Sequence, residues 1–291
     1  MELSCTSVML PRWELDETFD KLSEYGYDAV ELRCRYNPDD PNAQPFFWGR
    51  HLSDVSPDNI LDKAAQIRAA VKRTGVRVAA LAPNARYDDT EHVLKLFKGA
   101  LAIDPDHPPL IRIDAPKHDR TRPYWPQFLE ARAGYARLAE LASEHGVKAT
   151  YEIHTGTLAV TASRALELLR DLDPNHIGAI YDVQNMVEVG IEDTRMGLDL
   201  LGPYVAHCHI GNRLPEPAGQ GPDGNTTWRW RGARLAEGVA DIPQLIEDLK
   251  TVGYNGALSL ELFIPENFEP GNDDEIVQTE GAFLRKLIDR P

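Results

Sequence analysis

Short apolar runs alternate along the chain with longer amphipathic segments, and this alternation constrains the fold more than any other feature. Each run is bounded by turn residues, as the strands of a buried parallel sheet are. The eight runs cover residues 3–8, 28–33, 76–81, 110–114, 148–154, 177–182, 205–210 and 257–263. Eight strands that are each followed by a helix predict an α/β protein, folded as one (β/α)8 barrel domain over residues 1–291.

The segments between the runs carry helix start and stop signals. Residues 56–75 are predicted to form a helix with Ser56 as its N-cap and Gly75 just past its end. Residues 241–253 are predicted to form another helix, which begins after Asp241. A doubly wound sheet is the alternative fold, but it is typically marked by a glycine-rich first turn, which this sequence lacks.

Composition narrows the range of partners. The chain has a formal net charge of −15, which disfavours nucleic-acid binding because a phosphate backbone attracts basic surfaces. The three cysteines show no paired or metal-finger spacing, so we expect a reducing, cytoplasmic compartment. No apolar run reaches the roughly 20 residues of a membrane span, and we expect no signal peptide. A small-molecule partner is therefore expected, and homo-oligomerisation is left open.

Two connections are unusually long, at about residues 34–55 and 211–240. Loops beyond roughly 12–15 residues are usually functional or disordered. Both are rich in aromatic residues and arginines, among them Trp48 and Trp230. In a barrel both would lie over the C-terminal face, where active sites are built. The letters GQGPDG at 219–224 match a dinucleotide-binding pattern, but without a strand before and a helix after they predict a turn-rich lid.

Charged and metal-ligating side chains cluster near the ends of the predicted strands. Residues two apart on a strand share a face, so His207 and His209 point one way and Cys208 points the other. Other side chains of this kind are Glu31, Arg33, Glu152, His154, Asp182 and Glu261. Because an unpaired buried carboxylate is costly, several of them inside one apolar barrel require a shared compensating charge.

A divalent cation would supply that charge. Three oxygen donors and one imidazole nitrogen would come from strands five to eight, in the residues Glu152, Asp182, His209 and Glu261. This donor set suits Mn²⁺, Mg²⁺ or Co²⁺, with Zn²⁺ as a further option. Other interpretations stay open: Glu152 could pair with an arginine such as Arg33, Asp182 could cap a helix, and the histidines could be hydrogen-bonded core residues.

Four segments in the second half resemble the xylose isomerase-like TIM-barrel superfamily, in its sugar phosphate isomerase/epimerase family. They read YEIHTGTLAVTASRALELL, GAIYDVQNMVEVG, VAHCHIGN and LAEGVADIPQLIEDLKTVGYNGALSLE, and GYDAVELR fits the first half more loosely. The resemblance implies that the same four residues bind one metal ion and that Glu152 and Glu261 are also the acid/base pair. It further implies that Arg213 contacts the substrate and that His154 lines the pocket beside the metal.

We predict a divalent-metal-dependent isomerase or epimerase that acts on a ketose or keto-polyol. The cation would polarise the carbonyl and stabilise the enediolate that forms when one glutamate removes a proton, and the other glutamate would return the proton. The side chains expected to contact the substrate are Glu31, Arg33, Trp48, His154, Asn185, His207, Arg213 and Trp230.

A lyase is the first alternative, because elimination from the same enolate gives dehydration or cleavage of a keto-glycoside. The epimerases commonly have D-x-x-H after strand six, whereas here DVQN places Asn185 at the last position, and an amide cannot transfer a proton as an imidazole does. An endonuclease IV-like phosphodiesterase is less favoured, because strands three and four end without histidines and the chain is acidic. A non-catalytic binding protein is the last alternative.

Overall fold

Eight parallel strands close into a barrel, which confirms the predicted fold. The computed structural model describes residues 1–40, 42–190, 192–264 and 272–290. In chain order the strands are β1 (Glu2–Thr6), β2 (Ala29–Arg33), β3 (Arg77–Ala82), β4 (Leu110–Ile113), β5 (Ala149–Glu152), β6 (Ile177–Asp182), β7 (Val205–Ile210), β8 (Asn212–Gln220), β9 (Thr226–Ala233) and β10 (Ala257–Leu260). Strands β1 to β7 pair in sequence, and β10 closes the barrel between β7 and β1.

Helices connect the strands, and the longer ones pack around the outside of the barrel. The helices are α1 (Leu15–Glu24), α2 (Ile60–Thr74), α3 (Thr90–Ile103), α4 (Tyr124–His145), α5 (Ala162–Leu169), α6 (Val183–Met186), α7 (Thr194–Leu201), α8 (Ile242–Thr251) and α9 (Asn272–Ile288). No helix in the described ranges is long and apolar enough to cross a membrane. That residues 1–291 form a single domain stays a prediction.

The start of α2 differs from the predicted one. The backbone N–H of Ser56 donates to the Asn59 side chain at 2.8 Å, which closes a turn ahead of the helix. The helix therefore begins at Ile60 rather than directly after Ser56. The predicted end is correct, because Gly75 follows α2 with a φ of 79°, a conformation that glycine adopts without steric cost. Asp241 caps α8 as predicted, through the backbone N–H of Gln244 at 3.0 Å.

The second long connection is a β-hairpin rather than a loop. Strands β8 and β9 pair antiparallel and are joined by a turn. In this turn the Gly221 N–H donates to the Asn225 carbonyl at 2.8 Å. The GQGPDG letters fall at this turn, and no helix follows them. In TTWRWRGA, the β9 sequence, two threonines precede an alternation of tryptophan with arginine, and threonine and tryptophan favour strands. The first connection, 34–55, is irregular apart from an isolated bridge.

The two faces of the barrel strands bury different chemistry. The outer face packs against the helices with apolar side chains, and Cys208 belongs to this layer. The inner face carries polar side chains that are fully buried, including Ser4, Glu31, His207 and Ser259. The inward polar side chains therefore converge along the barrel axis, toward the C-terminal ends of the strands.

Asn212 ties the hairpin to α8. Its buried side-chain amide donates to the carbonyls of Leu235 and Ala240 at 2.8 and 2.9 Å, and its side-chain oxygen accepts from the Ala240 N–H at 2.9 Å. One side chain therefore forms hydrogen bonds with backbone groups at both ends of the segment that connects β9 to α8.

We expect Asn212→Ala to lower the free energy of unfolding by about 3 kcal/mol, because it leaves buried backbone groups without partners. Urea denaturation measures this loss. The control is Asn225→Ala at the exposed hairpin turn, which should change stability by no more than about 0.5 kcal/mol. Equal effects of the two substitutions would show that Asn212 has no anchoring role.

Candidate metal centre

The C-terminal ends of β5, β6, β7 and β10 bring three carboxylates around one imidazole. His209 Nδ1 lies 3.0 Å from Glu261 Oε2, 3.2 Å from Glu152 Oε1 and 3.4 Å from Asp182 Oδ2. All four side chains are buried, and one ligand atom from each lies within 4.8 Å of the others. The structure thus gathers the predicted quartet at one point.

The opposite nitrogen of His209 faces a further buried carboxylate. His209 Nε2 lies 2.8 Å from Glu31 Oε2, and His207 Nε2 lies 2.9 Å from the same oxygen. In the neutral ring, a carboxylate beside Nε2 favours the tautomer that carries its proton there, which leaves Nδ1 as the atom that can bind a metal ion among the three acidic side chains. Glu31 thereby fixes which nitrogen of His209 is available as a ligand.

Each carboxylate of the quartet has its own hydrogen-bond donor. The Arg112 guanidinium donates to Glu152 Oε2 at 2.8 Å. The Gln184 amide donates to Glu261 Oε2 at 2.9 Å. The Asn185 side chain donates to Asp182 Oδ2 at 2.5 Å, and the Asn185 backbone N–H donates to Asp182 Oδ1 at 3.0 Å. Only one of the donors is a cation, so the two glutamates differ in environment.

The electrostatics follow from this arrangement. Burial favours the neutral form of Glu152, but Arg112 and His209 outweigh it and hold the pKa of Glu152 below its usual range. Burial raises the pKa of Asp182, since its partners compensate it less. Burial lowers the pKa of His209, but the surrounding carboxylates, Glu261 and Glu31 foremost, raise it well above normal. A cation at this centre would therefore displace a proton from His209.

The donor set fits a divalent metal ion. His209 Nδ1 is buried and forms no hydrogen bond, although three carboxylate oxygens surround it. Oxygen atoms from three acidic side chains with one imidazole suit Mn²⁺, Mg²⁺, Co²⁺ or Zn²⁺. In the described residues a second group, Glu31 with His207 and His209, also has ligand atoms close together, but it shares His209 with the first.

A cleft of about 440 Å³ opens above the quartet. Glu152 and Glu261 line it, together with the predicted contact residues Trp48, His154, Asn185 and Arg213. The Trp48 ring packs on Phe263, with ring centroids 4.7 Å apart, so the cleft has an aromatic wall. Arg213 forms an ion pair with Glu188 at the edge of the cleft.

The sequence match to a known family covers most of the chain. The model for the xylose isomerase-like TIM barrel matches residues 19–287. The chain belongs to the xylose isomerase-like TIM-barrel family. An uncharacterized protein of Methanocaldococcus jannaschii is 21% identical over 277 residues, which cover 90% of this chain and 83% of that protein. An inosose isomerase of Halalkalibacterium halodurans is 27% identical over 143 residues, which span 48% of each chain.

Solved structures with the same fold superpose along nearly the whole chain. The IOLI protein with a bound zinc atom gives a TM-score of 0.71 at 18% identity and covers 99% of this chain and 98% of that one. The 3-keto-D-glucoside 4-epimerase YcjR from E. coli gives 0.68 at 16%, with 98% and 99% covered. The probable 3-DHS dehydratase AsbF from Bacillus anthracis gives 0.66 at 17%, with 98% and 99% covered. At these identities the likeness shows a shared fold.

Four predicted substrate contacts do not line the cleft of this family member. Glu31 and His207 are fully buried beneath the quartet and bond to each other, so neither can touch a ligand in the cleft. Arg33 is buried and directs its guanidinium to backbone carbonyls, including that of Gly49 at 2.8 Å, so it holds the 34–55 connection. Trp230 lies on the hairpin opposite Pro215, outside the cleft lining.

Sequence reasoning missed the partners of the quartet. Glu152 does form an ion pair with an arginine, as one interpretation held, but the arginine is Arg112 on β4 rather than Arg33. An arginine inside the apolar run LIRID was the available signal. Gln184 offered no comparable signal, because a glutamine after a strand is ordinary in a loop or helix start. Asp182 caps α6 as well as facing His209, so those two interpretations hold together.

Gly211 allows the quartet to assemble. A Cβ at this position would collide with the backbone oxygen of Glu261 and with the Gln184 side chain. The chain leaving β7 therefore passes directly against two parts of the site, and no larger residue has room there.

We expect Gly211→Ala to destabilise the fold by about 1–3 kcal/mol, because Glu261 and Gln184 must move to accept the methyl group. Urea denaturation measures the change. Gly49→Ala is the control, since a Cβ there has its nearest neighbour at 3.7 Å. Equal stability of the two variants would contradict the tight packing at Gly211.

Proposed function

We propose that the protein is a divalent-metal-dependent isomerase or epimerase of a ketose or keto-polyol. The observation that carries the proposal is the pair of glutamates, Glu152 and Glu261, which lie on either side of His209 and also line the cleft. An isomerase in the same family and epimerases of the same fold support the reaction class. The substrate would lie in the cleft, with its carbonyl and adjacent hydroxyl above the quartet.

The metal ligands in this proposal are Glu152, Asp182, His209 through Nδ1, and Glu261. A divalent ion held by them would supply Lewis-acid polarisation of the substrate carbonyl. Glu31 would act as the outer partner that fixes His209, since such hydrogen bonds orient ligating histidines in metal sites. His207 would hold Glu31 in turn.

The proton would move through the glutamate carboxylates. One of them removes the proton from the carbon beside the carbonyl, and the other delivers a proton to the neighbouring carbon or to the opposite face. Glu152 is paired with the Arg112 cation, which favours its ionised form. Glu261 accepts from the neutral Gln184 amide and forms no ion pair with an arginine or lysine among the described residues, so no permanent cation holds it. We therefore assign the first proton abstraction to Glu261.

The cleft residues would position the substrate and exclude water. Trp48 and Phe263 form an apolar wall suited to the carbon face of a sugar or polyol. His154, Asn185 and Arg213 are the polar contacts we propose along the cleft. The Asn185 side chain already bonds to Asp182, so it orients that carboxylate and does not transfer a proton.

A lyase is the second candidate. A dehydratase with the same fold and the amide at Asn185, in place of an ionisable side chain, favour it. Both reactions begin with the same proton abstraction. Turnover in D₂O separates them, because isomerisation places deuterium in a product of unchanged heavy-atom composition, whereas elimination releases water or an aglycone.

We expect Glu261→Gln to reduce deuterium uptake from D₂O into a ketose or keto-polyol by about 100-fold or more, because the amide cannot accept the proton. Mass spectrometry of the recovered substrate measures the uptake across a panel of such compounds. Glu144→Gln, on the exposed surface of α4, is the control and should exchange at the wild-type rate. Wild-type exchange in Glu261→Gln would remove Glu261 from the reaction.

We expect Glu31→Gln to weaken Mn²⁺ binding by roughly 10- to 100-fold, because His209 loses the carboxylate that fixes its tautomer. Calorimetric titration of the chelator-treated protein measures the affinity. In the wild type the affinity should also fall as the pH falls, since the bound ion competes with a proton on His209 whose pKa is raised. Glu280→Gln is the matched control, because Glu280 is also buried but bonds to Arg234, away from the quartet. Equal Mn²⁺ affinities in the two variants would contradict the role of Glu31.

A further inference from the structure

Arg35 is a buried cation in the cleft, and it forms no ion pair with the residues that the structure describes. It follows β2, is only 8% exposed and lines the cleft. Its Nε donates to the carbonyl of Ala82, at the end of β3, at 3.0 Å. In the described part of the chain no carboxylate lies within 4.0 Å of its guanidinium, and its two terminal nitrogens have no acceptor.

The other arginines near the cleft have partners for their terminal nitrogens. Arg112 pairs with Glu152 at 2.8 Å and with Asp114 at 3.4 Å. Arg213 pairs with Glu188. The guanidinium of Arg33 is bonded to several backbone carbonyls. Arg35 is therefore unlike its neighbours, because its terminal nitrogens are left for a group that enters the cleft.

Keeping such a cation costs stability. An arginine removed from water needs a partner for its charge, and a nearby like charge adds to the cost. Burial lowers the pKa of Arg35 to about 9, and the guanidinium groups of Arg112 and Arg33 act in the same direction, against a smaller opposite effect of the carboxylates of Asp114 and Glu152. A ligand that supplies an anion to Arg35 would explain why the protein keeps a residue with this stability cost.

A second uncompensated cation lies at the mouth of the same cleft. Lys117, on the connection after β4, is exposed and lines the cleft, and among the described residues it has no ion pair. Arg35 and Lys117 follow β2 and β4, whereas the quartet is held on β5, β6, β7 and β10. The uncompensated cations and the proposed reacting centre therefore belong to opposite halves of the barrel.

We propose that Arg35, together with Lys117, binds an anionic oxygen group of the substrate, a carboxylate or a phosphate. This inference rests on the proposed function and specifies its substrate class: an acidic ketose or keto-polyol whose carbonyl lies above the quartet and whose anionic end lies toward β2 and β4. The two terminal nitrogens of Arg35 match the two oxygens of such a group, and bidentate pairing of this kind is strong and geometrically selective.

Equilibrium binding of matched probes to the Mn²⁺-loaded protein tests the proposal. D-fructose is the neutral probe, D-fructuronate carries a carboxylate, and D-fructose 6-phosphate carries a phosphate. We expect at least one acidic probe to bind about tenfold or more tightly than D-fructose, the gain typical of a charge-assisted hydrogen bond. Comparing the two acidic probes identifies which anion the subsite takes. Equal affinity for all three, or no measurable binding of any, overturns the proposal.

Variants assign the preference to Arg35. Arg35→Gln should bind the acidic probes no more tightly than D-fructose, and Lys117→Gln should lose part of the preference. Arg132→Gln, which removes a partly exposed arginine paired with Asp171 on the outside of the barrel, should retain the wild-type preference. A full acidic preference in Arg35→Gln would overturn the assignment.

Stability separates a ligand-binding role from a structural one. If Arg35 serves a ligand, Arg35→Gln should unfold at the same or a higher urea concentration than the wild type, because it removes an uncompensated buried charge. A lower midpoint together with an unchanged acidic preference overturns the proposal. If Arg35→Gln does not fold, the test compares the wild type with Lys117→Gln, a substitution at an exposed position. An equal preference for the acidic probes in these two proteins would overturn the subsite.

The binding test is independent of turnover, so it separates the two proposals. An acidic preference that depends on Arg35, without deuterium exchange in any ketose, supports the subsite and overturns the isomerase. Deuterium exchange that is equally fast with neutral and acidic ketoses supports the isomerase and overturns the subsite.

Discussion

Three buried carboxylates around a single imidazole are the constraint on which the rest of this structure depends. Glu152, Asp182 and Glu261 all face His209 Nδ1 within 3.4 Å, at the centre of a closed barrel. In a site shielded from water the three carboxylates repel one another strongly, and the single imidazolium of His209 compensates only part of their negative charge. A divalent cation resolves the conflict with the least rearrangement, because it can take one ligand atom from each residue.

The surrounding residues hold the side chains of the quartet in one arrangement. Glu31 and His207 lie below His209 and fix its orientation, while Arg112 and Gln184 each hold one glutamate. The donors differ in charge, and so the two glutamates lie in different electrostatic environments although their positions are similar. The same logic extends to the cleft, where the terminal nitrogens of Arg35 lack the partners that those of the other arginines have. The unpaired positive charge of Arg35 therefore indicates where a negatively charged group of the ligand would bind.

Much of the barrel and the quartet could be predicted because both follow from local pattern. Alternating apolar runs and amphipathic segments predict the strands and helices, and a parallel barrel places all strand ends on one face. The period of two along β7 predicts that His207 and His209 share a face, but it does not give their depth. His207 is fully buried and lies outside the cleft lining, a depth that the alternation along the strand does not reveal. The partners Arg112 and Gln184 depend on tertiary distances, and the β8–β9 hairpin depends on long-range pairing within a segment that resembles a loop in composition.

Anomalous X-ray diffraction from crystals loaded with Mn²⁺ tests the central claim most directly, because it locates the ion without reference to activity. The account predicts one strong peak per chain, coordinated by Glu152, Asp182, Glu261 and the Nδ1 atom of His209. The absence of a peak among these four residues, or a peak between Glu31 and His207 instead, would contradict it.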